Sequence, residues 1–149
     1  MTNQPDPHEA LASIREARSA MGRDLDYPAG WDVFYGAICG ALVLSQGLPT
    51  PWSLVLLVGS VAAMALMVRW WRARTGWWVN GYGPPKARWV AFGLAAVLLA
   101  LISVSVWARF NEGPIWVPFA AGLAGALAAG FGGRLWMKVY RQDLRDGGQ

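Results

Sequence analysis

No lysine, arginine, aspartate or glutamate occurs between Val33 and Val68, and the same holds from Trp89 to Trp107 and from Ile115 to Gly133. A soluble helix or strand of such length needs charged side chains on the face it turns to water, so these stretches belong to a chain whose solvent is lipid. Composition agrees, with 55% hydrophobic and only 15% charged residues. Pro49, Thr50 and Pro51 divide the first stretch, because proline cannot continue a helix and the three residues together make a tight turn. Four apolar runs result, each near the roughly 20 residues a helix needs to cross about 30 Å of hydrocarbon. The first two are short, and Trp31, Trp70 and Trp71 extend them into the interface, where indole rings are favoured. The predicted fold class is all-α integral membrane, a bundle of four transmembrane helices.

The cationic residues orient it. Arg15, Arg18 and Arg23 precede the first run, Arg69, Arg72, Arg74, Lys86 and Arg88 separate the second from the third, and Arg134, Lys138, Arg141 and Arg145 follow the fourth. Arg109 alone falls on the other side. Positively charged loops are retained in the cytoplasm, so this distribution predicts a multi-pass protein of the bacterial inner (cytoplasmic) membrane with N-terminus and C-terminus both cytoplasmic. No basic region leads into an apolar core near the N-terminus, so no removable signal peptide is expected. The formal net charge of +4 is distributed along the edges of apolar segments, which points to anionic membrane lipids as partners and not to nucleic acid.

Residues 1–30 read as a cytoplasmic amphipathic helix, with Asp6 as N-cap, Pro7 in the first turn, Glu9 completing a capping-box-like pattern, and Leu11, Ile14, Met21 and Leu25 on one side. Residues 31–149 form the transmembrane domain, with a basic, Trp-rich cytoplasmic loop over 69–88 and a helical cytoplasmic tail over 134–149. The apolar stripe of the tail, Met137, Tyr140 and Leu144, is the natural complement of the N-terminal one.

Catalytic readings fail on inventory. His8 is the only histidine, so one chain cannot build a His-based triad or a multi-His metal site. Cys39 is the only cysteine, which excludes an intramolecular disulfide and a cysteine metal cluster. No ionisable side chain lies at mid-depth in any run, whereas coupled transport ordinarily needs one. The nearest acid, Asp32, sits at the cytoplasmic boundary. No enzyme activity, cofactor or metal is expected.

What the runs do carry is small residues, which let helix backbones approach closely where lipid supplies no hydrophobic drive to association. Gly36 and Gly40 form one GxxxG; Gly122, Ala126 and Gly130 form a row on the fourth run, beside a second row of Ala121, Gly125, Ala129 and Gly133. These are the predicted helix-packing positions, facing either a neighbouring helix of the same chain or a second copy.

The densest constellation is the 69–88 loop, where Arg69, Trp70, Trp71, Arg72, Arg74, Trp77, Trp78 and Trp89 mix guanidinium and indole groups. That mixture is what a headgroup layer selects, arginine for lipid phosphate and indole for the interface, so these are the predicted lipid-interface residues. Within it, Arg74, Thr75, Gly76, Trp77, Trp78, Val79, Asn80 and Gly81 make an Arg-Thr-Gly-x-Trp-Val-Asn-Gly stretch. Here the chain resembles uncharacterised small four-helix bacterial inner-membrane proteins. The resemblance implies their layout and transfers no functional residue. The resulting expectation is a non-enzymatic interaction or accessory subunit; the alternatives are a passive channel or carrier formed by a homo-oligomer, and a lipid-binding, membrane-organising protein. Its partners would be anionic lipids together with a second copy or an unrelated membrane subunit.

Overall fold

A computed structural model describes residues 30–75 and 85–146 together with Ser13; within those ranges the side chains of 75, 85, 86, 141 and 143–146 are not described. Apart from Ser13 and Gly30, the expected amphipathic helix at 1–30 lies outside the described residues, as do Trp77 and Trp78 of the loop. Among the described residues the protein is all-α, with four helices and no strand: α1 (Trp31–Gly47), α2 (Trp52–Thr75), α3 (Pro85–Phe110) and α4 (Trp116–Asp146).

Local chemistry sets the boundaries. Gly30 precedes α1 at φ 88°, a left-handed conformation that costs glycine nothing, and its carbonyl accepts the first helical bond, from the Phe34 N–H. Leu48 is extended and Pro49 follows, which ends α1 and leaves a connection of four residues to α2. The α3 helix opens on Pro85, whose missing N–H would have had no helical partner there. It ends with Glu112 in the left-handed region at φ 51° and the Gly113 N–H donating to the Ala108 carbonyl over 2.8 Å, the 6→1 bond of a Schellman motif.

Three helices are long and apolar enough to cross a membrane, over Trp52–Arg74, Ala87–Phe110 and Trp116–Tyr140. The α1 helix, with 17 residues, is about 26 Å long at 1.5 Å per residue. It nonetheless holds the centre: among the described residues α1 packs against α2, α3 and α4, α3 and α4 pack against each other, and α2 packs against α1 alone.

Side chains are arranged inside out relative to a water-soluble bundle. On α4 the large residues Phe119, Leu123, Leu127, Phe131 and Leu135, four apart, form one exposed ridge, while Ala121, Gly122, Gly125 and Ala129 are buried. The buried polar residues Ser45, Ser53, Ser60 and Ser105 likewise face inward. Lipid accepts exposed leucine and phenylalanine without cost, so the interior is free to be filled by small residues that bring backbones together. The protein is a membrane protein on this ground as well as on helix length.

The ends of the bundle carry different chemistry. At one end Asp32 on α1 pairs with Arg134 on α4, and Trp31 lies 5.2 Å and 5.1 Å from the rings of Trp70 and Trp71 on α2. At the other, Arg109 at the close of α3 donates to the Thr50 hydroxyl in the α1–α2 turn over 3.3 Å. The described arginines other than Arg109 thus gather with Lys138 at the Asp32 end.

Candidate functional site

The α1–α4 seam is where the small residues meet. A methyl group added at Gly36 would lie 2.5 Å from the Ala126 carbonyl oxygen, and one added at Gly40 would lie 2.6 Å from the Gly122 carbonyl oxygen and 2.8 Å from the Ala126 β-carbon. Gly130 faces the Asp32 carbonyl, and Gly125 of the adjacent row faces Val43 of α1 and Leu98 of α3. Both rows of α4 are therefore occupied within one chain. The serines follow the ordinary behaviour of hydroxyls in apolar helices, with Ser45 donating to the Leu42 carbonyl over 2.7 Å and Ser103 to the Leu99 carbonyl over 2.9 Å. Ser105, fully buried, has no hydrogen-bond partner among the described residues.

This tight seam has an open counterpart. Because α2 touches only α1 among the described residues, a groove of about 620 Å³ lies along its inner side. Ile38, Cys39, Leu42 and Val43 of α1 form its floor, with Leu98 of α3 on the far flank. From α2 come two rows spaced by four residues, as adjacent ridges of one helix must be: Ser60, Met64, Val68 and Arg72, and beside it Val61, Ala65 and Arg69. Each row starts near the middle of the helix in small or apolar side chains and closes on an arginine. The result is an apolar trough with a cationic mouth.

An aromatic cluster borders that mouth. Trp71 is buried and Trp70 exposed, both in ring contact with Trp31, and the Arg74 guanidinium lies over the Trp70 ring at 5.3 Å from its centroid. Such contacts hold the α1 start and the α2 end in register despite the narrow α1–α2 interface. Trp89 is exposed on α3 and meets Phe92 edge-on.

Of the residues singled out for the lipid interface, Arg69 and Arg72 are brought together at the groove, Trp70, Trp71 and Arg74 beside it, and Trp89 stands apart on α3. The groove walls themselves were not singled out by sequence. Their trace is the period-four pair of rows ending in arginine, visible only once the inner face of α2 is known. No group of three or more His, Cys, Asp or Glu that would hold a metal occurs among the described residues. No protein-family model matches the chain, and no curated protein and no solved structure matches it either.

Proposed function

We propose that the chain is a non-enzymatic, four-span protein of the bacterial inner membrane that binds membrane lipid and thereby organises the bilayer beside it. The observation that carries this reading is the groove under α2, apolar between Val61 and Val68 and, among the described residues, open between α2 and α3, two helices that make no contact there. A cleft that opens sideways between membrane-crossing helices is filled from the bilayer, whose molecules are apolar where the groove is apolar. Purified in mild detergent, the wild type is expected to retain lipid in a native mass spectrum. Ala65→Trp, which places an indole in the groove, is expected to lose it; equal lipid on both proteins sinks the reading.

The fourth span rests on α1. Only four residues join α1 to α2, so the two run antiparallel and an α2 that crosses the membrane carries α1 back through it. The Asp32 end, rich in arginine, is then cytoplasmic. Reporters fused after Gln149 or near Tyr82 are expected to be cytoplasmic, and one near Asn111 exported. An impermeant thiol reagent that labels a cysteine at Tyr82 in intact cells, and none at Asn111, reverses the orientation.

The accessory-subunit reading draws on the same side of α2, which no other described helix covers, and where a partner helix would replace the lipid. An unrelated protein co-purifying in equal amount with a lipid-free chain favours it. A homo-oligomeric channel has less support, since the small faces of α1 and α4 are turned to each other.

A further inference from the structure

We infer that the outer surface of the bundle is a belt fitted to a bilayer whose hydrocarbon core is at most about 27 Å thick, thinner than the usual 30 Å or so. Its edges are two level rings, indole groups at one end and indole with guanidinium at the other. The inference goes beyond lipid in the groove, since it concerns the whole lipid-facing surface and needs only that the helices cross the membrane.

The spacing repeats on each long span. Trp52 and Trp70 on α2 are eighteen positions apart, as are Trp89 and Trp107 on α3. On α4 the same count leads from Trp116 to Arg134, the first charged residue of that helix. Eighteen positions are about 27 Å along the axis at 1.5 Å per residue, and any tilt shortens the distance across the bilayer. All five tryptophans are exposed, and so is the Arg134 side chain. Exposed indole and guanidinium groups settle at headgroup depth. Between these edges the large exposed side chains are leucine, valine and phenylalanine, and the one charged residue, Arg69, adjoins Trp70.

Contacts between the helices bring the edges level. At one end Arg109 donates to the Thr50 hydroxyl over 3.3 Å, and Trp107 and Trp52 each stand two residues from that bond. A methyl group added at Gly47 would meet Pro118 and lie 3.3 Å from the Ser105 carbonyl oxygen, which sets Trp116 and Trp107 at one depth. At the other end Trp31 meets the Trp70 ring while its neighbour Asp32 pairs with Arg134. Leu94 faces Gly132, which places Trp89 within about one helical turn of the depth of Arg134. Six groups on three helices thus mark two parallel planes.

The experiment places the full chain, carrying a donor or acceptor dye on its terminal amine, in phosphatidylcholine vesicles. Acyl length alone sets their hydrocarbon cores at about 27 Å or about 33 Å. Energy transfer between copies reports clustering, one way in which spans too short for their bilayer relieve the mismatch. Wild type is expected to be dispersed in the thin bilayer and at least about tenfold more associated in the thick one. Trp52→Leu/Trp107→Leu/Trp116→Leu removes one ring and is expected to lose most of that difference, because leucine does not favour the interface over hydrocarbon. Trp107→Leu alone is expected to lose part of it, which keeps the test open if the triple variant does not fold. Phe119→Leu/Phe131→Leu removes aromatic groups from inside the belt and is expected to behave as wild type. Wild type equally associated in both bilayers, or more so in the thin one, overturns the fitted thickness. Tryptophan variants that keep the full difference, or a phenylalanine variant that loses it, overturn the rings as its cause.

Discussion

Gly40→Leu and Gly36→Leu are expected to prevent accumulation of the folded bundle, whereas Gly59→Leu and Gly93→Leu leave its thermal stability in detergent unchanged. All four positions are glycines in apolar helices, so composition and hydropathy predict equal effects. The difference lies in what stands opposite. At Gly36 and Gly40 the first added carbon already meets a backbone carbonyl of α4, at 2.5 Å and 2.6 Å. A backbone oxygen cannot swing aside as a side chain can, so α1 and α4 must separate along their whole seam. At Gly59 and Gly93 an added carbon meets nothing within 4 Å. Overpacking a well-filled interior costs about 1–3 kcal/mol for modest insertions, so Gly40→Ala is expected in that range and the leucine variant beyond it. Gly125→Ala should be milder, because its nearest neighbour, 3.1 Å away, is a methyl of Val43. A Gly40→Leu protein that melts with the wild type would mean the helices do not approach as described.

The same seam shows what the sequence can and cannot disclose. Small residues at spacings of four announce that some backbone comes close, because only lipid-embedded helices gain from bare surfaces. They do not say whose backbone: Gly36 and Gly40 suit a second copy of α1 as well as Ala126 and Gly122. The third and fourth apolar runs were legible since charge is excluded from each across a membrane thickness, and the shorter second one since Trp70 and Trp71 extend it into the interface. The α1 helix was legible as apolar, but nothing in its composition places it at the centre, in contact with every other helix. The groove was hidden for a different reason. It depends on α2 leaning, among the described helices, on α1 alone, and no local pattern in Trp52–Thr75 records that.

Asp32 was read only as the acid nearest the membrane, and its pairing with Arg134, 102 positions away, needed the fold. The two partners are unequal. The Asp32 side chain is 9% exposed and that of Arg134 63%, so the carboxylate is the group that depends on protein for its stabilisation. It has a second support in its place within the first turn of α1, where free N–H groups and the helix dipole favour negative charge. Arg134→Ala is therefore expected to be the costlier change, about 1–3 kcal/mol, because it removes a charge-assisted hydrogen bond from a buried carboxylate. Asp32→Asn keeps an oxygen that accepts from Arg134 and leaves the arginine free to reach water or headgroups; its cost should stay under about 1 kcal/mol, as for pairs with an exposed partner. Once the charge at Asp32 is gone, Arg134→Ala should add little, giving a coupling of 0.5 kcal/mol or more, in the range of about 0.5–3 kcal/mol found for contacting residues. Exchange of the pair, Asp32→Arg with Arg134→Asp, is expected to fail, since it sets a cation in the buried position against the positive end of α1. Equilibrium unfolding of the two single variants and the asparagine–alanine double variant measures the cycle. Simple additivity of the two single effects, or an Arg134→Ala variant less damaged than Asp32→Asn, would show that the carboxylate is held by the helix terminus and not by the arginine.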